Sequence, residues 1–272
     1  MSRQAQRVEG LPVTYARGLA VLDVGGGAPI VCVPGYTGSK EDFGPLLAPL
    51  AVAGHRVIGY DQRGQFQSPG HGELSSYRPG PLAGDLLGLL DELGLDRVHL
   101  IGHSYGGLVA RAALLARPEA FLSLALIGSG PAALAGPRAE VTRALRATLR
   151  SGGVPAVWQL LEAGGDTSAF GRERFLAQDR VALEGMGEAL LDEPDRVGEL
   201  AEVCRRHGIA VLVACGEHDD AWSPQLQRVM AARLGARFQL IPAAAHSPAV
   251  EAPDSTAALL LDFYRSAAVA GP

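Results

Sequence analysis

Lysine is almost missing from this 272-residue chain: Lys40 is the only one, and the other 23 of its 24 basic residues are arginine. Both side chains solvate a surface, so the imbalance reads as coding bias rather than as a binding signal. A basic surplus is missing too. The formal net charge is −5, which leaves no global positive field for nucleic acid. There are three cysteines, Cys32, Cys204 and Cys215, with no C-x-x-C or C…H spacing, so neither a disulfide scaffold nor a zinc site is expected. Cys32 and Cys215 sit in apolar runs, as small buried hydrophobes do, and a reduced, cytoplasmic compartment is expected. The N-terminal MSRQAQRVEG has no apolar core of a secretory signal, and no uncharged apolar stretch is long enough to span a membrane. Repeats, low-complexity blocks and charge runs are absent. With 47% apolar and 19% charged residues, intrinsic disorder is excluded as well.

What is present is a regular succession of short apolar segments and helical patterns. Strands are predicted at Ala20–Val24, Ile30–Val33, Arg56–Tyr60, Val98–Ile101, Leu122–Ile127, Ile209–Ala214 and Arg237–Ile241. Near-continuous apolar runs suit parallel strands covered on both faces. Between them, Asp42–Ala53 and Leu82–Leu93 carry leucines at helical spacing. The alternation predicts an α/β fold with a doubly wound, mostly parallel sheet. It breaks once, between Ile127 and Ile209, where helical patterns are separated by breakers at Ser151-Gly152-Gly153, Gly164-Gly165-Asp166 and Glu193-Pro194. A structureless loop of that length is not expected in a compact domain. The reading is a core domain of residues 1–131 and 209–272, with a helical cap inserted at 132–208. Arg138, Arg143, Arg146 and Arg150 are expected on the solvated face of the first cap helix, with a substrate carboxylate on one of them as the lesser reading. Gly25-Gly26-Gly27 is followed by no Lys-Ser/Thr and is expected to be a hairpin turn, not a phosphate loop.

The chemistry-bearing motif is Gly102-His103-Ser104-Tyr105-Gly106, a G-x-S-x-G between a predicted strand and a predicted helix. A nucleophile at such a turn has strained backbone angles, and its flanking residues must lack side chains. A serine hydroxyl also needs a base, and the base an acid to orient it. Carboxylates follow the Ile209–Ala214 strand at Asp219 and Asp220, and His246 follows the last strand. The chain order Ser…Asp…His, with separations of 115 and 27 residues, is that of a G-x-S-x-G elbow fold.

On these residues the chain resembles the α/β-hydrolase family, in its capped, esterase-like branch. Val33-Pro34-Gly35-Tyr36-Thr37-Gly38-Ser39 is similar to the family's oxyanion loop and Asp61–Ser68 to its D-x-R-G-x-G-x-S turn, with Phe66 where glycine is common. Gly216–Asp219 is similar to the acid loop and Ala245–Pro248 to the histidine loop. The resemblance implies Ser104 as nucleophile, His246 as base and Asp219, in preference to Asp220, as acid. It also implies the backbone N–H groups of Tyr36 and Tyr105 as the oxyanion hole. Trp158 and Trp222 are candidates for substrate binding. No metal and no cofactor is expected, and the partner is a small-molecule substrate, with monomer and homodimer both open. A serine at the elbow disfavours the relatives that use an aspartate nucleophile. Cleavage of a carboxylic ester or lactone is the leading expectation, ahead of carbon–carbon bond hydrolysis and cofactor-free perhydrolysis. Acyl transfer to an acceptor other than water, and a ligand-binding receptor on the same fold, are the further alternatives.

Overall fold

The structure, a computed structural model, describes residues 5–163, 165 and 168–269. Gly164 and Asp166 of one expected breaker, and the first four residues of the N-terminus, lie outside them. The strands are β1 (Thr14–Ala16), β2 (Leu19–Gly25), β3 (Ala28–Val33), β4 (His55–Tyr60), β5 (Val98–His103), β6 (Phe121–Ile127), β7 (Ala210–Gly216) and β8 (Arg237–Ile241). They form one sheet in the order β1-β2-β4-β3-β5-β6-β7-β8, with β2 antiparallel to both β1 and β4 and every pair from β4 to β8 parallel. The helices are α1 (Gly44–Val52), α2 (Pro79–Glu92), α3 (Tyr105–Ala116), α4 (Gly136–Ala163), α5 (Ala169–Leu176), α6 (Arg180–Asp192), α7 (Val197–His207), α8 (Pro224–Leu234), α9 (Pro248–Glu251) and α10 (Pro253–Val269).

Successive side chains of a strand face opposite ways, so each central strand feeds two cores. Val31 and Val33 of β3, with Val98 and Leu100 of β5, meet Leu82, Leu86 and Leu89 of α2, Val109 of α3 and Leu200 of α7. Ile30 and Cys32 of β3, with Ile101 of β5, meet Leu46 and Leu50 of α1 and Leu260 and Phe263 of α10. Both faces are therefore sealed, and only the strand ends remain for a site. The Gly25-Gly26-Gly27 turn is not a hairpin: β4 lies between β2 and β3, so the turn steps across a strand inserted later in the chain.

Four helices connect β6 to β7. The two ends of the excursion meet, because the Ala133 N–H donates to the Glu193 carbonyl and the Leu134 N–H to the Leu190 carbonyl, each at 2.8 Å. The guanidinium of Arg111, buried on α3, donates to the carbonyls of Pro131 and Pro194 and to Glu193 Oε1. After Pro194, α7 returns to pack beside α3 and α8. Helix α4 is interrupted at Gly153, whose φ of 72° and ψ of −172° are not helical, so its two halves do not share one face. The expected solvated arginine row is only partly so. Arg146 points inward onto Glu184 and Glu188 of α6, because α4 lies along that helix.

Candidate active site

Ser104 stands between β5 and α3 with φ 53° and ψ −120°, a conformation that side chains rarely adopt. The turn is tight enough to exclude side chains at its flanks. A Cβ on Gly102 would lie 2.6 Å from the Gly106 carbonyl oxygen, and one on Gly106 would collide with the carbonyls of Val33 and Pro34. The strained serine is fixed by its N–H to the Ile127 carbonyl at 3.0 Å and by the Gly107 N–H to its own carbonyl at 2.9 Å. Strain at one residue is thus held by a strand on one side and a helix on the other.

The other two chain segments converge on it. His246 follows β8, and its Nε2 lies 2.9 Å from Ser104 Oγ. Its Nδ1 lies 2.9 Å from Asp219 Oδ1, after β7. Asp219 has a fully enclosed side chain that accepts from the Ala221 N–H at 3.0 Å and from Gln227 Nε2 at 2.9 Å. Burial pushes this carboxyl up, but the hydrogen bonds and the charge of His246 outweigh it and leave the value below the usual range. Asp220, by contrast, faces solvent and makes a 3.6 Å ion pair with Arg138.

Three residues that the sequence reading left without a role hold this arrangement. His103 Nε2 donates to the backbone carbonyl of His246 at 2.8 Å, and burial lowers its pKa, followed in effect by the nearby His246. Gln227 of α8 bridges Asp219 and the Trp222 carbonyl. Glu251 Oε2 accepts from the Ala245 and Ser247 N–H groups on either side of His246. Of the three, only His103 lies in a recognisable motif; a glutamine or glutamate in a helix carries no pattern.

The β3–α1 loop closes the site from the opposite side. A Cβ on Gly35 would come within 3.2 Å of Ser104 Cβ. Gln62 Nε2 donates to the Pro34 carbonyl at 2.8 Å, and Gln65 Nε2 to the carbonyls of Gly35 at 2.6 Å and Tyr36 at 3.3 Å. With its carbonyls turned toward these amides, the loop has a fixed peptide orientation. Tyr105 opens α3, where a helix leaves its first N–H groups without an internal acceptor. Behind the loop, the single lysine is fully buried: Lys40 Nζ meets Asp61 at 2.8 Å, Gln67 at 2.6 Å and Glu41 at 3.0 Å, under the ring of Phe66. Burial raises the Asp61 carboxyl to about 6 against the pull of Lys40. The partners converge on one point, which suits the compact ammonium of lysine. Phe66, at the position expected for glycine, keeps a positive φ of 35° and supplies that ring.

A cavity of about 320 Å³ opens above Ser104 and His246. Its walls include Tyr36, Leu134, Val141, Leu145 and Leu190, together with Trp222. Trp222 thus lines the cavity. Trp158 does not: it is buried with Leu149, Val157, Phe175 and Leu183 in a cluster of its own, and Leu161 takes the cavity side. The break at Gly153 falls at the expected Ser151-Gly152-Gly153 breaker, and the apolar spacing beyond it does not say which residue of that face meets the cavity. A larger groove near Arg7, Pro45 and Pro253 is lined by no nucleophile–base pair.

Comparison with known proteins agrees with this fold. Residues 28–152 match the model of the alpha/beta hydrolase fold. A stretch of 103 residues is 38% identical to a protein described as the carbamate hydrolase RutD of Variovorax paradoxus, covering 38% of each chain. The chain spans less than two fifths of the length of the first curated relatives it matches. Among solved structures, a thermophilic esterase from Thermogutta terrifontis superposes with a TM-score of 0.75 at 23% identity, covering 94% of this chain and 97% of that one. The enol-lactonase of Burkholderia xenovorans superposes with a TM-score of 0.76 at 24% identity, over 93% and 100% of the two chains.

Proposed function

The chain belongs to the α/β-hydrolase fold family, and from that premise we propose that it is a serine hydrolase of carboxylic esters or lactones. The observation that carries the reading is the unbroken relay from Ser104 Oγ through His246 to Asp219, with both contacts at 2.9 Å. Ser104 Oγ attacks the ester carbonyl while His246 Nε2 takes its proton. The carbonyl oxygen becomes an oxyanion, held by the N–H groups of Tyr36 and Tyr105 where the loop and the start of α3 face Ser104. His246 then gives the proton to the departing alkoxide, and the acyl group stays on Ser104. Water enters, His246 takes its proton, and the second tetrahedral adduct collapses to the acid and free serine. Asp219 remains ionised throughout and holds Nδ1–H of His246, which fixes the tautomer and stabilises the imidazolium.

We assign the helical excursion at 132–208 to a cap over this site, on a core of 1–131 and 209–272. Leu134, Val141, Leu145 and Leu190 come from that excursion and line the cavity, which supports a role in excluding water and gripping an apolar substrate. Cys32, Cys204 and Cys215 are buried, unpaired thiols, in keeping with the expected reducing, cytoplasmic compartment.

The test is a fluorophosphonate probe followed by peptide mapping. One equivalent of label on Ser104, with Ser104→Ala folded but about 10⁶-fold slower on an aryl acetate, is the expected result. Label on another residue, or an alanine variant with normal turnover, refutes the assignment. Binding of esters without steady turnover points instead to a receptor.

A further inference from the structure

We infer that the cavity above Ser104 selects esters that carry a free carboxylate, which docks on Arg138 at the rim; this rests on the serine hydrolase reading. The charges on the wall are unbalanced. Among the described residues lining the cavity, the formally charged ones are Asp42, Arg138 and Arg174. Arg174 pairs with Asp42, so those two cancel within the wall. Arg138 has no such match. Its ion pair is long, 3.6 Å, and goes to Asp220, which is 68% exposed and not part of the wall.

Its neighbours on α4 show what a closely ion-paired arginine looks like in this fold. Arg146 meets Glu184 and Glu188 at 2.7 Å each, and Arg150 meets Glu184. Arg143 is exposed and does not line the cavity. Only Arg138 combines a place on the cavity wall with a weak partner. The first turn of α4 stands at the same rim, since it carries Arg138 and the preceding Leu134 also lines the cavity, and it adds the positive end of the helix dipole. The chain as a whole carries −5, so this positive spot runs against the general field and is a local feature of the site.

The rest of the wall sets the shape of the substrate. Leu134, Val141, Leu145, Leu190 and Trp222 offer an apolar lining for a short carbon chain between the ester and the carboxylate. At one end of that chain the carbonyl meets Ser104. At the other, a guanidinium forms charge-assisted hydrogen bonds with a planar carboxylate. The substrate class is therefore a hemiester of a dicarboxylic acid, or a lactone bearing a carboxylate.

The experiment compares aryl hemiesters of succinate, glutarate and adipate with the matching carboxamides, which keep the shape and lose the charge. At low ionic strength the wild-type kcat/KM should favour at least one hemiester about tenfold or more, and the preference should shrink as salt is added. R138Q should bring the hemiester-to-carboxamide ratio close to one, R138K should retain part of it, and R143Q should leave it as in the wild type. A wild-type ratio near one at every chain length, or a ratio that R138Q leaves intact, overturns the inference. The salt series on the wild type decides the matter even if a variant fails to fold. Turnover of the carboxamides with no charge preference defeats only the substrate class. No turnover of any ester and no fluorophosphonate label on Ser104 defeats the hydrolase reading itself.

Discussion

At the scale of single residues, adjacent aspartates separate chemistry from surface. Asp219 and Asp220 are one position apart, yet the first is enclosed by His246, Ala221 N–H and Gln227 while the second faces water. The acid loop turns between them, so only one carboxylate reaches the imidazole. Asp219→Asn should lower kcat on a neutral aryl acetate by about 10⁴, because the amide presents a donor or a neutral acceptor where an anion stabilised the imidazolium. Asp220→Asn should change it less than about threefold. Steady-state kinetics on the two variants checks this, and the reverse pattern would move the acid by one residue. Motif register already favoured Asp219 in the sequence. Its Gln227 partner was not legible there, because that contact joins a loop to a helix eight residues on with no motif to mark it.

At the scale of elements, a loop works only as well as the element behind it. The peptide orientation of the loop beside Ser104, on which the proposed oxyanion role of the Tyr36 N–H rests, depends on carbonyls held by Gln62 and Gln65, and these come from the turn after β4. Gln65→Leu removes the donors to the Gly35 and Tyr36 carbonyls and leaves both oxygens beside an apolar group. With two hydrogen bonds at about 1 kcal/mol each, kcat should fall roughly 10- to 100-fold. KM should change little, since the loss falls on the oxyanion and not on ground-state binding. A variant with normal kcat and raised KM would show that the loop holds substrate and not transition state.

Elements were also where the sequence was most and least readable. The seven predicted strands all exist, and the central ones were readable because a strand buried on both faces must be an apolar run. β1 escaped notice since it has three residues and two of them are exposed. Trp158 was misplaced because spacing marks an apolar helix face and not the neighbour it meets, which here is Leu149, Phe175 and Leu183. Lys40 looked like a compositional accident and is a fully buried ion-pair centre, a fact that depends on Asp61 and Gln67 from another segment.

At the scale of the whole molecule, the question is how a helical excursion of some seventy residues stays in place over the serine. Much of the answer converges on Arg111, seven residues after Ser104 and on the helix that Ser104 caps. Its guanidinium reaches Pro131 where the chain leaves the sheet and Glu193 and Pro194 where it comes back. Both ends of the excursion are therefore tied to the element that carries Ser104. The other side of the excursion is tied to the β3–α1 loop, through Tyr36 Oη donating to the Leu183 carbonyl at 2.8 Å and Arg174 donating to Asp42. Arg111→Met should strand Glu193, only 9% exposed, without its cation. Breaking such a pair costs about 3–5 kcal/mol, so Tm should fall by several degrees. The double variant Arg111→Met with Glu193→Gln should recover part of that loss, because no bare charge remains buried. If the tie also sets the cap over the site, both variants should lose more kcat/KM on bulky esters than on acetates, since bulky acyl groups depend on walls that the excursion supplies. Equal losses on both substrates would make Arg111 a strut of the core, with the cap held by α5 and α6 alone.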